Sequence, residues 1–235
     1  MDKVRIELDR LGIAEADRKL TVLEAYRDRI LDWNKHVNLT AIREPEAFAV
    51  KHYVDSLAAA GFQGFKDAVA VIDVGTGAGF PGVPLAVCYP EKRFVLVDSL
   101  AKRVRILNEV LAELSIDNAV AITGRAEDLG RDKGHRERYD MCLSRAVASL
   151  PVLAEYCIPF VRVGGWFGAY KTAHSAEEGA AAERALRVLG ASIEDITSHN
   201  VYSDIEGHNI LWFKKNRPTP NQYPRKPGAP AKDPL

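Results

Sequence analysis

Residues 69–82, Val-Ala-Val-Ile-Asp-Val-Gly-Thr-Gly-Ala-Gly-Phe-Pro-Gly, indicate the fold of this chain. The first six are apolar apart from Asp73, and a short apolar run that ends in glycines is typical of a buried parallel strand. Four glycines follow within eight residues, whereas a tight turn needs only one. A glycine-rich turn from strand to helix lets backbone N–H groups approach a ligand at the carboxyl end of a sheet. We therefore predict a ligand-binding loop here.

Strand and helix patterns alternate after this loop. Further strand-like runs occupy 93–98, 119–123, 139–144 and 165–170. Helical patterns separate them, at 101–114, 148–160 and 176–189. This alternation predicts an α/β fold with a doubly wound parallel sheet and right-handed crossovers. Two last runs, 191–201 and 208–215, predict a C-terminal antiparallel hairpin whose turn carries Asp204, Glu206 and Gly207.

The chain divides into three compositional segments. Residues 1–65 predict an N-terminal helical extension packed on the catalytic domain, because apolar residues recur at helical spacing from Leu20 to Trp33. Residues 66–215 hold the sheet. Residues 216–235 contain six prolines and four Lys or Arg against one acid. Such a segment buries little apolar area, so we predict a disordered basic tail.

Composition restricts the partners. The 235-residue chain has 32 Lys and Arg and 32 Asp and Glu, a formal net charge of +0, so a nucleic acid must meet a local basic patch. Three separated cysteines and no metal-ligand spacing among six histidines predict no disulfide framework and no metal, which suits the cytoplasm. The charged N-terminus and the lack of a long apolar run predict neither a secretion signal nor a membrane span. We expect a monomer.

The ligand of the glycine loop has two interpretations. Gly75-x-Gly77-x-Gly79 after Asp73 matches the S-adenosylmethionine loop, whereas Gly77-x-Gly79-x-x-Gly82 matches the dinucleotide fingerprint. Both expect an acid about twenty residues later to bind ribose hydroxyls, and Asp98, followed by Ser99, ends the second strand. The second register starts two residues late, and Pro81 removes a donor. Position and Asp73 therefore favour S-adenosylmethionine.

Two later positions extend the predicted site. Ala126 and Glu127 follow the third strand, where a backbone N–H and an acid can read the adenine edge. Glu127 and Asp128 equally fit a solvated acidic pair at a helix start. Arg145 ends the fourth strand, which faces the reacting group, although a surface ion pair is the alternative.

Four motifs carry a resemblance over residues 20–215: WNKHVNLTAIRE followed by KHYVDSL, DVGTGAGFPG, VDSLAKRVRIL and LSRAVAS. The chain resembles the bacterial small-subunit ribosomal RNA (guanine-N7) methyltransferase family, also called glucose-inhibited division protein B. The resemblance implies a class I methyltransferase fold, S-adenosylmethionine, and transfer to N7 of a guanosine in the 530 loop of 16S ribosomal RNA. It implies cofactor contacts at Gly75, Phe80, Ala126, Glu127 and Arg145. Phe80 stands where relatives often have leucine, and the Pro-rich tail is outside the family pattern.

The residues after the fourth strand agree with N7 chemistry. Enzymes that methylate exocyclic amines usually carry an Asn/Asp-Pro-Pro-aromatic loop there, whereas this chain has Ser144-Arg-Ala-Val. Methylation at pyrimidine C5 needs a cysteine nucleophile, but Cys142 and Cys157 lie in core patterns. Guanine N7 has an exposed lone pair and no proton, so positioning suffices. We assign no catalytic residue. Arg145, the nearest candidate, is predicted to bind the cofactor carboxylate or an RNA phosphate.

RNA binding by a neutral chain needs a local basic surface. We predict that it is formed by Lys35, His36, Asn38, Arg43, Lys51, His52, Lys102, Arg103 and Lys171. Asn38 and His52 equally fit structural polar groups with internal hydrogen-bond partners. The leading hypothesis is thus a methyltransferase acting on 16S rRNA or the small ribosomal subunit. Two alternatives are an NAD(P)-binding oxidoreductase and a non-catalytic adenosyl-ligand or RNA-binding module.

Overall fold

A computed structural model describes residues 1–145, 147–171, 175–199 and 208–235. Its centre is a seven-stranded sheet with the order β3-β2-β1-β4-β5-β7-β6. The strands are β1 Ala70–Val74, β2 Arg93–Asp98, β3 Ala119–Thr123, β4 Tyr139–Arg145, β5 Val161–Lys171, β6 Ala191–His199 and β7 His208–Lys215. All seven predicted strands are therefore present. The predicted turn residues Asp204, Glu206 and Gly207 lie outside the described residues.

The strand order places a crevice at the centre of the sheet. Strands β1 to β5 are parallel, and β7 pairs antiparallel with both β5 and β6. The chain runs outward from β1 to β3, then returns to place β4 on the other side of β1. Ligands of open α/β sheets bind at such a reversal, beyond the carboxyl ends of the strands. The glycine loop after β1 lies at this point.

Helices cover both faces of the sheet. They are α1 Asp2–Arg10, α2 Ala16–Asn34, α3 Pro45–Phe48, α4 Asp55–Leu57, α5 Gln63–Asp67, α6 Gly82–Cys88, α7 Ala101–Glu113, α8 Ala126–Leu129, α9 Leu150–Cys157, α10 Ser175–Leu189 and α11 Ala229–Lys232. A π-helical turn, Ala49–Val54, and two 3₁₀ turns, Ala58–Gly61 and Ile158–Phe160, complete them. Among the described residues, no helix combines the length and apolar character needed to cross a bilayer.

The N-terminal helices share a core with the sheet. Leu23, Tyr26 and Ile30, from the predicted stripe of α2, are fully buried. They join one hydrophobic cluster with sheet residues such as Val71 and Leu96. A second cluster, on the other face, packs α9 and α10 against the strands. Because α2 packs into this shared core, it also contacts the glycine loop, where the Tyr26 hydroxyl donates to Ala78 O at 2.8 Å.

The prediction of a disordered tail is wrong. In residues 216–235, Thr219 and Pro230 are buried, and Arg225 pairs with the fully buried Glu155 at 2.7 Å. The Arg136 guanidinium donates to the carbonyls of Gly130, Thr219, Pro220 and Tyr223. The composition of the tail could not predict this order, because the groups that anchor it, Glu155 and Arg136, lie elsewhere in the sequence. The tail gains polar contacts where it lacks apolar area.

Candidate active site

A cavity of about 400 Å³ opens at the carboxyl ends of β1 to β4. Each strand end contributes to its wall. The lining residues are Val74, Gly75, Val97, Asp98, Ser99, Leu100, Arg103, Gly124, Arg125, Ala126, Glu127, Val147 and Tyr156. Five of the ten predicted cofactor residues are thus brought together here: Gly75, Asp98, Ser99, Ala126 and Glu127.

Asp73 shapes the glycine loop from beneath. Its Oδ2 accepts hydrogen bonds from Thr76 Oγ1 at 2.7 Å and from Gly82 N at 2.9 Å. Burial raises the pKa of this carboxyl to about 6. Its Oδ1 is buried and has no hydrogen-bond partner within the described ranges. An orphaned carboxylate oxygen under the loop suits a cationic group, such as the ammonium of an amino-acid moiety.

Asp98, at the end of β2, accepts hydrogen bonds from the glycine loop and also lines the cavity. Its Oδ1 accepts from Leu100 N at 2.8 Å, and its Oδ2 accepts from Gly77 N at 3.1 Å. Arg103 lies 3.6 Å from Oδ2. The side chain is nearly buried yet lines the cavity. Asp98 therefore both holds the glycine loop and offers acceptor oxygens to hydroxyl groups of a ligand.

The backbone of the loop favours the earlier of the two glycine registers. Gly79 N and Phe80 N donate to Thr76 O, both at 2.9 Å, and Gly82 N donates to Asp73. These N–H groups are the ones that a pyrophosphate would need in the later register. A Cβ at Gly79 would collide with the Tyr26 hydroxyl, so this glycine serves packing against α2. The geometry does not support the dinucleotide interpretation.

Glu127 closes the far end of the cavity. It lies in the first turn of α8, is 4% exposed, and accepts a hydrogen bond on Oε1 from Gly228 N at 3.0 Å. Ala126 beside it is half-buried and also lines the cavity. Tyr156 adds an aromatic wall. The alternative interpretation, a solvated acidic pair, is wrong, because Glu127 is buried while Asp128 is exposed.

Phe80 and Arg145 lie behind the loop rather than in the cavity wall. The Phe80 ring stacks on His52, with centroids 4.2 Å apart, and is 4% exposed. Arg145 donates to Asp55 Oδ2 at 2.7 Å and to Lys51 O at 2.9 Å. The predicted side-chain contact of Phe80 with the cofactor is thus replaced by packing. The predicted alternative for Arg145, an ion pair, is what forms, but it is largely buried.

A hydrogen-bonded network joins Arg145 to the N-terminal segment. Arg145 Nη2 donates to His52 Nδ1 at 2.9 Å, so His52 Nε2 carries the proton and donates to Thr40 Oγ1 at 2.9 Å. Burial, with the nearby Arg145 charge, lowers the pKa of His52 to about 3. Asp55 also accepts from His208 Nδ1 at 2.9 Å. Although burial opposes it, the His208 hydrogen bond and the Arg145 charge hold the pKa of Asp55 below its usual value.

The prediction that His52 contacts RNA is therefore wrong, because its ring is buried between Phe80, Thr40 and Arg145. Other predicted RNA residues are accessible. Those that are exposed are Lys35, His36, Asn38, Arg43, Lys51 and Lys102. Lys35 pairs with Asp32 at 3.0 Å. Lys171 is half-buried, because it donates to Ala148 O at 2.8 Å and pairs with Glu178 at 2.6 Å.

Sequence reasoning missed several site residues. Arg125 and Tyr156 line the cavity, and Arg125 is exposed. Arg125 could have been found, since it directly precedes the predicted Ala126 and Glu127. Asp55 stands inside the quoted KHYVDSL motif, but its partner His208 is 153 positions away. Gly228 carried no signal, because its segment was predicted to be disordered.

The cavity chemistry fits an adenosyl ligand with an amino-acid group. Asp98 and Glu127 place carboxylate oxygens in its wall, and the Asp73 oxygen that has no hydrogen-bond partner among the described residues is buried beneath the loop. Val97, Leu100 and Val147 supply apolar wall between them. Among the described residues there is no group of His, Cys, Asp and Glu that could hold a metal ion. The three cysteines are buried, and burial raises the pKa of Cys142 and Cys88.

The chain is similar to known methyltransferases. The chain is 44% identical to ribosomal RNA small subunit methyltransferase G of Acetivibrio thermocellus, over all of both chains. It is 46% identical to the protein of that name from Alkaliphilus metalliredigens, over 96% of this chain and 94% of the relative. An O-methyltransferase structure from Bacillus cereus in complex with SAH superposes with a TM-score of 0.54 at 15% identity, covering 81% of this chain and 90% of that one.

The structural likeness confirms the predicted fold, a doubly wound class I methyltransferase sheet with an N-terminal helical extension and a C-terminal antiparallel hairpin. The model of the protein family described as rRNA small subunit methyltransferase G matches residues 19–203. That match covers the glycine loop, Asp98, Glu127 and Arg145 together. The chain belongs to the rRNA small subunit methyltransferase G family.

Proposed function

We propose that the protein transfers the methyl group of S-adenosylmethionine to N7 of a guanosine in the 530 loop of 16S rRNA. The observation that carries the proposal is the cavity in which Gly75, Asp98, Ala126 and Glu127 meet, in a chain of this methyltransferase family. S-adenosylmethionine is the methyl donor, and when bound it supplies an electrophilic methyl group beside the loop. The small ribosomal subunit, the monomeric state and the cytoplasm remain parts of the proposal.

The residues of the chain hold and orient rather than exchange protons. Asp98 would accept the ribose hydroxyls, Glu127 the adenine edge, and Asp73 a cationic amino group. Guanine N7 is already a nucleophile without a proton, so positioning it in line with the methyl group is sufficient. This agrees with the burial of the three cysteines, which raises the pKa of Cys142 and Cys88, and with the absence of a Pro-Pro-aromatic sequence after Ser144.

Arg145 takes a positioning role in this proposal. Both of its terminal nitrogens are already used by Lys51 O, Asp55 and His52. Methylation at N7 leaves positive charge on the base, and a free guanidinium nearby would oppose it. Pairing with Asp55 compensates the Arg145 charge and fixes the end of β4 against the N-terminal helices. The role predicted from sequence, direct binding of a carboxylate or phosphate, is not favoured.

The site of methylation is tested chemically. Methylation at N7 makes the five-membered ring cationic, so borohydride reduces it and aniline then cleaves the chain at that nucleoside. Small subunits lacking the modification are incubated with the protein and labelled S-adenosylmethionine. We expect one new cut in 16S rRNA, and none when the cofactor is omitted. Incorporated label without a cut would contradict the N7 assignment, and cofactor binding without label would favour the non-catalytic alternative.

The RNA-binding surface is tested by salt dependence. Lys102 and Arg125 are exposed next to the cavity, and neither is paired with an acid in the described part of the chain. Replacing either by alanine should weaken RNA binding and reduce the slope of log K against log salt by about 1. Lys133, exposed in the loop before β4 and therefore at the opposite end of the sheet, is the matched control. An equal effect of Lys133→Ala would refute the proposed surface.

A further inference from the structure

The C-terminal segment, residues 216–235, reaches the cofactor cavity through one hydrogen bond. Gly228 N donates to Glu127 Oε1 at 3.0 Å. The two residues are 101 positions apart, and Gly228 lies outside residues 19–203 that match the family model. The alignment with the Acetivibrio thermocellus relative nevertheless includes this segment, because it covers the whole of this chain.

This bond fixes the orientation of a carboxylate in the cavity wall. Glu127 is 4% exposed and lines the cavity. With Oε1 accepting the hydrogen bond from Gly228 N, Oε2 is the oxygen left for a ligand. A hydrogen bond from a backbone N–H to a carboxylate is among the stronger ones, so it restricts rotation of the side chain. Oε2 is therefore held before a ligand arrives.

The segment is anchored firmly enough to do this. Arg225 forms a paired contact with Glu155, from Nε and Nη2 to the two carboxylate oxygens. Arg225 Nη2 also donates to Asp233 O at 2.7 Å, on the other side of Gly228. Pro230, in α11, is buried. The chain around Gly228 is thus fixed on both sides, and its φ of +82° suits glycine.

We propose that the C-terminal segment is part of the cofactor site. Gly228 N–H is a positioning group that holds Glu127 so that Oε2 accepts a hydrogen bond from the exocyclic amino group of the adenine. This inference rests on the proposed adenine contact of Glu127. It assigns to residues 216–235 a role in base recognition, beyond the packing contacts already described.

The first test removes the donor. A chain ending at Pro227 lacks Gly228, and a matched chain ending at Asp233 keeps Gly228, α11 and the contact of Arg225 with Asp233. Dissociation constants are measured by calorimetry for S-adenosylhomocysteine and for S-inosylhomocysteine, whose base has a carbonyl in place of the amino group. The full chain should prefer the adenine ligand by roughly 10- to 100-fold, the effect of one hydrogen bond to a charged group.

The expected result is a loss of base preference. The chain ending at Pro227 should lose roughly 3- to 10-fold of that preference, because an unfixed carboxylate must be ordered on binding. The chain ending at Asp233 should keep it. In full-length Glu127→Gln, Gly228 N would bind the amide oxygen and turn the amide nitrogen, a donor, toward the base, so this variant should not prefer the adenine ligand. Truncation in that background should therefore cause no further loss of preference. A merely structural role would weaken both ligands equally and leave their ratio unchanged, which would overturn the proposal.

The second test uses the full chain and does not depend on whether the truncated chain folds. If the Gly228 bond favours adenine binding, linkage requires that adenine binding strengthen the Gly228 bond by the same factor. Saturation with S-adenosylhomocysteine should slow amide hydrogen exchange at Gly228 by roughly 3- to 10-fold, and S-inosylhomocysteine should slow it less. Equal exchange rates with both ligands would refute the inference. A full chain without base preference would instead refute the adenine contact of Glu127, and the inference with it.

Discussion

Replacing Asp98 by alanine tests whether one carboxylate both supports the glycine loop and binds the ligand. The side chain accepts from Leu100 N at 2.8 Å and from Gly77 N at 3.1 Å while lining the cavity. From the sequence alone, Asp98→Ala is predicted to weaken cofactor binding and to leave the fold intact. The structure predicts a loss of stability as well, because Gly77 is in the loop and Leu100 precedes α7.

The two losses have separate magnitudes. Each hydrogen bond to a charged group contributes about 1.5–3 kcal/mol to stability. Gly77 is only half-buried and Leu100 is exposed, so water can replace the lost acceptor at both N–H groups. We therefore expect the free energy of unfolding to fall by about 2–4 kcal/mol, less than two full bonds. Cofactor binding should weaken by about 1–3 kcal/mol, or roughly 5- to 150-fold, from the lost ribose contact.

Urea denaturation measures the first quantity and calorimetric titration with S-adenosylhomocysteine the second. Asp117 is an exposed aspartate before β3, at the opposite end of the sheet, so Asp117→Ala is the control and should change neither by more than about 0.5 kcal/mol. Unchanged affinity in a folded Asp98→Ala protein would refute the ribose contact. Unchanged stability would refute the support of the loop.

Three further predictions follow from the site. Gly77 and Gly12 have φ of +60° and +66°, and a Cβ at either position would meet nothing within 4 Å. Replacing either glycine by valine should therefore lower stability by about 1–2 kcal/mol. Only Gly77→Val, in the glycine loop, should abolish S-adenosylhomocysteine binding in calorimetry. Burial raises the pKa of Asp73 to about 6, so the contribution of this carboxyl to stability falls as pH rises from about 4 to 6. Asp73→Asn should therefore raise the free energy of unfolding at pH 7.5 by about 1–3 kcal/mol. Equal urea midpoints for the variant and the wild type would contradict this. Burial lowers the pKa of His52 to about 3, so the stability that its neutral ring contributes above pH 6.5 is lost as pH falls. Between pH 6.5 and about 3.5, the free energy of unfolding of the wild type should fall by roughly 4 kcal/mol more than that of His52→Gln. Urea titrations across that pH range measure the difference.

Local patterns predicted most of the sheet. The runs at 93–98 and 119–123 match β2 and β3 residue for residue, because buried parallel strands are continuous apolar segments. Asp98 and Glu127 were also predicted, since strand order places strand ends at one edge. The glycine loop and the family motifs by themselves indicate a methyl donor.

Partners distant in sequence could not be predicted in this way. His52 was predicted on an RNA surface because basic residues cluster near the cofactor face, whereas Phe80 and Arg145 bury its ring. Phe80 was predicted to touch the cofactor, yet its ring packs against α2 and the π-helical turn, 6.1 Å from the Tyr26 ring and 5.4 Å from the Arg145 guanidinium. In both cases long-range packing decided which way the side chain faces.

The sequence by itself therefore determined the order of strands and helices, the glycine loop and the acids at the ends of β2 and β3. These features depend on hydrophobic periodicity and on residue types a few positions apart, which local physical rules describe. Only the tertiary structure decided that Arg145 pairs with Asp55, that residues 216–235 are ordered, and that Gly228 meets Glu127. Those contacts join residues 90, 70 and 101 positions apart, and they depend on hydrogen-bond partners that come together only when the sheet and its helices have packed.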